Sequence, residues 1–164
     1  MPIKEATIQA NYKVYSDDTF LDLTDLELIK KARLVAFNAY APYSGFKVGA
    51  VAIMEDGTFI SGTNQENASY PIGLCAERVL LAAASSIAMN KKILTMAISY
   101  QTNLVKSDKP VAPCGICRQS LVEFENRFDT PLRLLLTGSA GEVFEISSVS
   151  DLLPFSFKSE NLGK

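Results

Sequence analysis

The stretch ILTMAISY, Ile93–Tyr100, is apolar almost without interruption, with no polar side for a strand to turn toward water. Such a run belongs to a strand covered on both faces, so material must pack above and below it. Working outward, the preceding segments FKVGAVAIM and TFISG are rich in β-branched and aromatic residues and are separated by EDG, which predicts a hairpin. Between TFISG and the central run lie the loop TNQENASYPIG and a helix predicted from Cys75 to about Ala88. Upstream, Leu26, Ile29, Ala32, Val35 and Ala36 recur at helical spacing behind a capping box of Thr24 and Glu27, predicting a helix over about Asp25–Tyr40 that APYSG ends. Downstream, a loop with Pro110 and Pro113 leads to a helix over about Cys114–Asn126, then to strands in LRLLLTG and EVFEI and a short terminal segment. Strands alternating with helices around one sheet predict a three-layer α/β/α sandwich with a mixed five-stranded sheet. Residues 1–23, with one short extended piece around Thr7–Tyr15, are expected to form an N-terminal extension to a domain over residues 24–164.

The 164 residues suit one domain, and 48% hydrophobic with 21% charged residues is ordinary globular usage. A net charge of −2 without a basic stripe argues against a polynucleotide partner. No apolar run approaches a membrane span and no secretory signal pattern opens the chain, so the expectation is a cytoplasmic protein with no membrane partner.

The chain holds three cysteines and no histidine. Triads and metal sites built on histidine are thereby excluded. Cys75, Cys114 and Cys117 all fall near predicted helix starts, where unpaired N–H groups and the positive end of the helix dipole favour thiolates. Cys114-Gly115-Ile116-Cys117 has the common metal-clasp spacing, and Cys75 adds a third sulfur from another helix. Three thiolates around one Zn²⁺ leave a coordination position open, the arrangement of a catalytic rather than a closed structural site. A structural site completed by an acid or by a second chain is the alternative, and a dithiol redox pair would leave Cys75 and Glu77 unexplained. Glu77, on the first turn two residues after Cys75, suits a general acid–base acting on water at the metal. Arg78 is the nearest fixed positive charge to offset the excess of thiolate charge.

CAE followed by PCGICRQ resembles the zinc deaminase signature, with Cys in place of His as the first ligand. More closely, YSGFKVGA, GTNQENASYP, CAER, PCGICRQ, LVEF and LLPFSF match, in order, the homotetrameric small-chain cytidine deaminases. The resemblance implies hydrolytic deamination of free cytidine and deoxycytidine, one Zn²⁺ per chain, Glu77 as proton carrier, and a homotetramer with shared active sites. It implies that Phe46 packs against the pyrimidine, that Asn64 and Glu66 bind the sugar hydroxyls, and that the base is read around Ala76. It places Gln119 in support of the metal site and Phe157 over a neighbouring subunit's nucleoside pocket. Gln65 departs from the aliphatic residue usual in the family's sugar loop. Another aminated heterocycle or a nucleoside antibiotic as substrate, a non-catalytic zinc-stabilised oligomeric module, and a deaminase of polynucleotides are the other readings the residues leave open.

Overall fold

A computed structural model describes residues 3–163. In chain order the elements are β1 (Lys13–Tyr15), α1 (Leu23–Ala36), β2 (Lys47–Met54), β3 (Phe59–Thr63), α2 (Ala76–Ile87), β4 (Ile93–Gln101), α3 (Gly115–Phe128), β5 (Arg133–Thr137) and β6 (Val143–Ile146), with short 3₁₀ turns between and after them. One sheet runs β1-β6-β5-β4-β2-β3. β4 and β5 are parallel and every other pair is antiparallel.

The central strand is the one the apolar run predicts: β4 is buried along nearly its whole length, between β2 and β5. Alternation of side chains sends Ala97 to one face, where Leu28, Ile29 and Ala32 of α1 meet Val51, Leu135 and Val143. Met96 and Ile98 go to the other face, under α2 and α3. The three-layer α/β/α sandwich is therefore observed.

The sheet has six strands rather than five. The additional strand, β1, comes from the segment read as an extension and pairs with β6 over Lys13↔Glu145 to Tyr15↔Val143. Side chains lock that edge: Lys13 Nζ and Tyr15 Oη donate to the buried Glu145 carboxylate at 2.9 and 2.7 Å. β1 falls inside the extended piece expected around Thr7–Tyr15, but Lys13-Val14-Tyr15 is too short for a period-2 pattern to name a face or a partner, and the pairing depends on a residue 130 positions away.

The start of α1 is also corrected. Asp22, not Thr24, is the N-cap, its carboxylate accepting from Asp25 N–H at 2.8 Å. The helix ends at Ala36 rather than Tyr40, because Tyr40 turns its backbone to the loop after β3: its N–H donates to Asn64 C=O (3.1 Å) and its C=O accepts from Glu66 N–H (2.9 Å).

One glycine matters to the site. A Cβ on Gly62 of β3 would lie 2.5 Å from both Ala76 O and Leu80 N. Glycine lets the first turns of α2 lie directly on the sheet, and this depth sets where Cys75 and Glu77 stand.

Candidate active site

Cys75 and Cys114 are the N-caps of α2 and α3, both extended in backbone and neither using its side chain to cap. Their sulfurs are free to face each other, and Cys117, one turn into α3, is buried behind them. The three Sγ atoms lie within 4.8 Å of one another, with Cys114 Sγ at 3.9 Å from Cys75 Sγ and 3.5 Å from Cys117 Sγ. All three are free thiols. Three sulfurs bound tetrahedrally to one zinc would be spaced about 3.8 Å apart. The donor set thus fits Zn²⁺ in both number and spacing.

The protonation of the cluster points the same way. Hydrogen bonding from Cys117 is the main cause that brings Cys75 down to about 6, with the Cys114 contact and the Arg78 charge adding to it. Cys117 is driven up by its hydrogen bond to Cys75 and by burial. One thiolate forms readily and opposes the next, as expected of sulfurs crowded without a cation; a bound divalent ion favours all three.

Glu77 lies on the first turn of α2, 6% exposed, and burial pushes its carboxyl up from the usual range. A raised carboxyl near the helix start is suited to taking up and returning a proton. It lines a cavity of about 600 Å³ together with Phe46, Asn64, Glu66, Cys75, Ala76 and Cys114. The cavity lies beyond the carboxyl ends of β4 and β5, the parallel pair, where open α/β sheets place their ligands.

Asn64 and Glu66 line the cavity and also brace its wall. Asn64 Oδ1 accepts from Val48 N–H (2.7 Å) and its Nδ2 donates to Phe46 C=O (2.9 Å). Glu66 accepts from the N–H groups of Tyr43 (2.8 Å) and Ser44 (3.3 Å) and from the Ser44 hydroxyl, and these bonds, led by the hydroxyl, keep its carboxyl below the usual range. Gln65 holds Leu74 through paired backbone hydrogen bonds (2.8 and 2.9 Å), while its side chain donates to Thr63 Oγ1 (2.9 Å).

Arg78, Gln119 and Phe157 do not line the cavity. Arg78 turns into the groove between α2 and α3 and reaches Cys75 by charge alone. Gln119 Nε2 donates to Phe157 C=O (2.8 Å), so it anchors the terminal segment from one side of α3. Phe157 is 59% exposed and Phe155, with φ +58°, is 93% exposed.

Two residues of this region escape a reading of the sequence. Arg118 donates to Pro113 C=O (2.8 Å) and Leu152 C=O (3.0 Å), tying the turn before Cys114 to the terminal segment. Tyr100, at the end of the central strand, lines the cavity and stacks on Phe46 with ring centres 4.9 Å apart. Its place in a core strand gives no sign that its ring reaches a site.

Residues 23–128 match the cytidine and deoxycytidylate deaminase zinc-binding region. The chain is 39% identical over 135 residues to the cytidine deaminase of Halalkalibacterium halodurans, covering 82% of this chain and 95% of that one. It is 37% identical to the cytidine deaminase of Sporosarcina psychrophila, over 83% and 93% of the two chains. Among solved structures, that of cytidine deaminase from Burkholderia pseudomallei superposes with a TM-score of 0.68 at 39% identity, covering 80% of this chain and 97% of the other.

Proposed function

Since the chain belongs to the family of zinc-binding cytidine and deoxycytidylate deaminases, we propose that it is a hydrolase converting free cytidine and deoxycytidine to uridine and deoxyuridine with release of ammonia. The observation that carries this is the meeting of three sulfurs and one buried carboxyl, Glu77, at a single cavity.

Cys75, Cys114 and Cys117 would hold one Zn²⁺, which when bound supplies Lewis-acid activation of the attacking water. Glu77 accepts a proton from that water and delivers it to N3 of the ring as the water oxygen bonds to C4. It then carries a second proton to the exocyclic nitrogen as the C4–N bond breaks and ammonia leaves. Ala76, at the first position of α2, offers backbone to the base, and Phe46 packs against its ring. Asn64 and Glu66 hold the sugar hydroxyls with the hydrogen-bonding capacity their internal bonds leave over.

Among the described residues the cavity lining carries two carboxyls and no lysine or arginine. This suits a ligand without phosphate, hence a free nucleoside rather than a nucleotide or a polynucleotide. The exposed Phe157 supports a homotetramer in which this ring closes a neighbouring subunit's pocket, with Gln119 fixing the segment that carries it. A cytoplasmic place in pyrimidine salvage completes the reading.

Loss of cytidine absorbance, ammonia release and zinc per chain test it together. Turnover of cytidine with about one zinc per chain is the expected result. Zinc retention without turnover of any aminated pyrimidine would mean a structural module, and equal rates on cytidine and on single-stranded DNA would overturn the free-nucleoside assignment.

A further inference from the structure

Phe46 stands one residue before β2, and its backbone is pinned on both sides. Its N–H donates to Ser44 Oγ (3.0 Å), and its C=O accepts from the same Asn64 amide that holds Val48 N–H. With both peptide groups fixed, the freedom left is rotation of the ring about its side-chain bonds.

Tyr100 removes that freedom. Val48 and Tyr100 face each other across β2 and β4, so Phe46, two residues before Val48, is the diagonal neighbour of Tyr100. The two rings stack 12° from parallel, and Tyr100 is 6% exposed at the end of the central strand, so it forms a fixed backing. Phe46 is only half-buried and borders the same cavity as Glu77.

We propose that Tyr100 is a positioning residue for nucleoside binding: its ring backs the Phe46 ring and leaves the uncovered side of Phe46 as a preset wall for the pyrimidine. This rests on the assignment of Phe46 to the base. A ring already in place loses no rotamer freedom when the ligand arrives, so Tyr100 acts on affinity rather than on proton transfer.

The test is a double-mutant cycle read by the inhibition constant of uridine, alongside kcat, zinc content and thermal midpoint. Tyr100→Leu should weaken uridine about 3- to 10-fold with kcat within about two-fold, the scale of one aromatic pair. Tyr100→Phe, which keeps the stack, should stay within about two-fold of the parent. In a Phe46→Ala background, Tyr100→Leu should have no further effect. An equal loss in both backgrounds would overturn the proposal alone, as would a Tyr100→Phe variant as weak as Tyr100→Leu. An unchanged inhibition constant in Phe46→Ala by itself would remove the base contact of Phe46 and this role with it. Should Tyr100→Leu not fold, Tyr100→Met replaces the ring with a flexible chain of comparable bulk and carries the same cycle.

Discussion

Burial raises the Glu77 carboxyl, while the sulfurs of Cys75, Cys114 and Cys117 are spaced to bind one metal ion as thiolates. Glu77→Gln keeps the shape and removes the proton carrier. It should retain about one zinc per chain and lose at least roughly 10² to 10⁴ in kcat, measured on metal-loaded protein of known zinc content. Cys114→Ala should act differently, dropping zinc per chain toward zero and lowering the thermal midpoint, because binding energy at such a site is also folding energy. These residues are legible in a sequence because cysteine spacing and a neighbouring acid have few other uses. Asn64 and Gln119 are less so. The bonds from Asn64 to the Phe46–Val48 backbone and from Gln119 to Phe157 C=O join segments far apart in the chain, and a polar side chain gives no sign of which backbone group it will meet.

At the scale of elements, the depth of α2 on β3 is set by Gly62. Gly62→Ala would put a methyl 2.5 Å from the backbone of Ala76 and Leu80 and must lift the helix that carries Cys75 and Glu77. A loss of about 1–3 kcal/mol in denaturant unfolding, together with lower kcat, is the expected outcome. The edge strand β1 makes a pH-dependent contribution. Burial pushes the Glu145 carboxyl up, but hydrogen bonds from Lys13 and Tyr15 and the nearby Arg133 charge outweigh it and hold it below the usual value. A depressed carboxyl stabilises the fold above its unfolded pKa, about 4.3, and loses that contribution as pH falls through the folded value. Removing residues 1–15 should therefore lower the thermal midpoint most near neutral pH, and the gap between truncated and full-length chains should narrow below about pH 4. A gap constant across that range would show that the edge is held by packing alone. Central β4 is readable from its apolar run because two covered faces leave a strong local pattern; of β1 only the extended backbone is, within the piece expected around Thr7–Tyr15, and its place in the sheet is not, because that depends on the distant Glu145 it finds.

For the whole molecule, the exposed Phe155 and Phe157 follow a fold whose core is already complete on both sides of the sheet. Deleting residues 154–164 should impair assembly and activity together, with the intact protein a tetramer by light scattering and Phe157→Ala weakening uridine binding. A fully active monomeric deletion variant would separate the zinc chemistry from any sharing of sites between chains.

Composition, the spacing of three cysteines, the absence of histidine and one continuous apolar strand determine, from the sequence alone, a layered α/β fold with a thiolate metal site and an adjacent acid. Those features are local: a helix start, a turn and a two-sided strand each follow from neighbours within a few residues. The pairing of the sixth strand, the end of α1, the stack of Tyr100 on Phe46 and the placing of Arg78 in the groove between α2 and α3 were decided by tertiary structure. Each depends on which distant groups the sheet brings within hydrogen-bonding or van der Waals reach, and no local pattern records that choice.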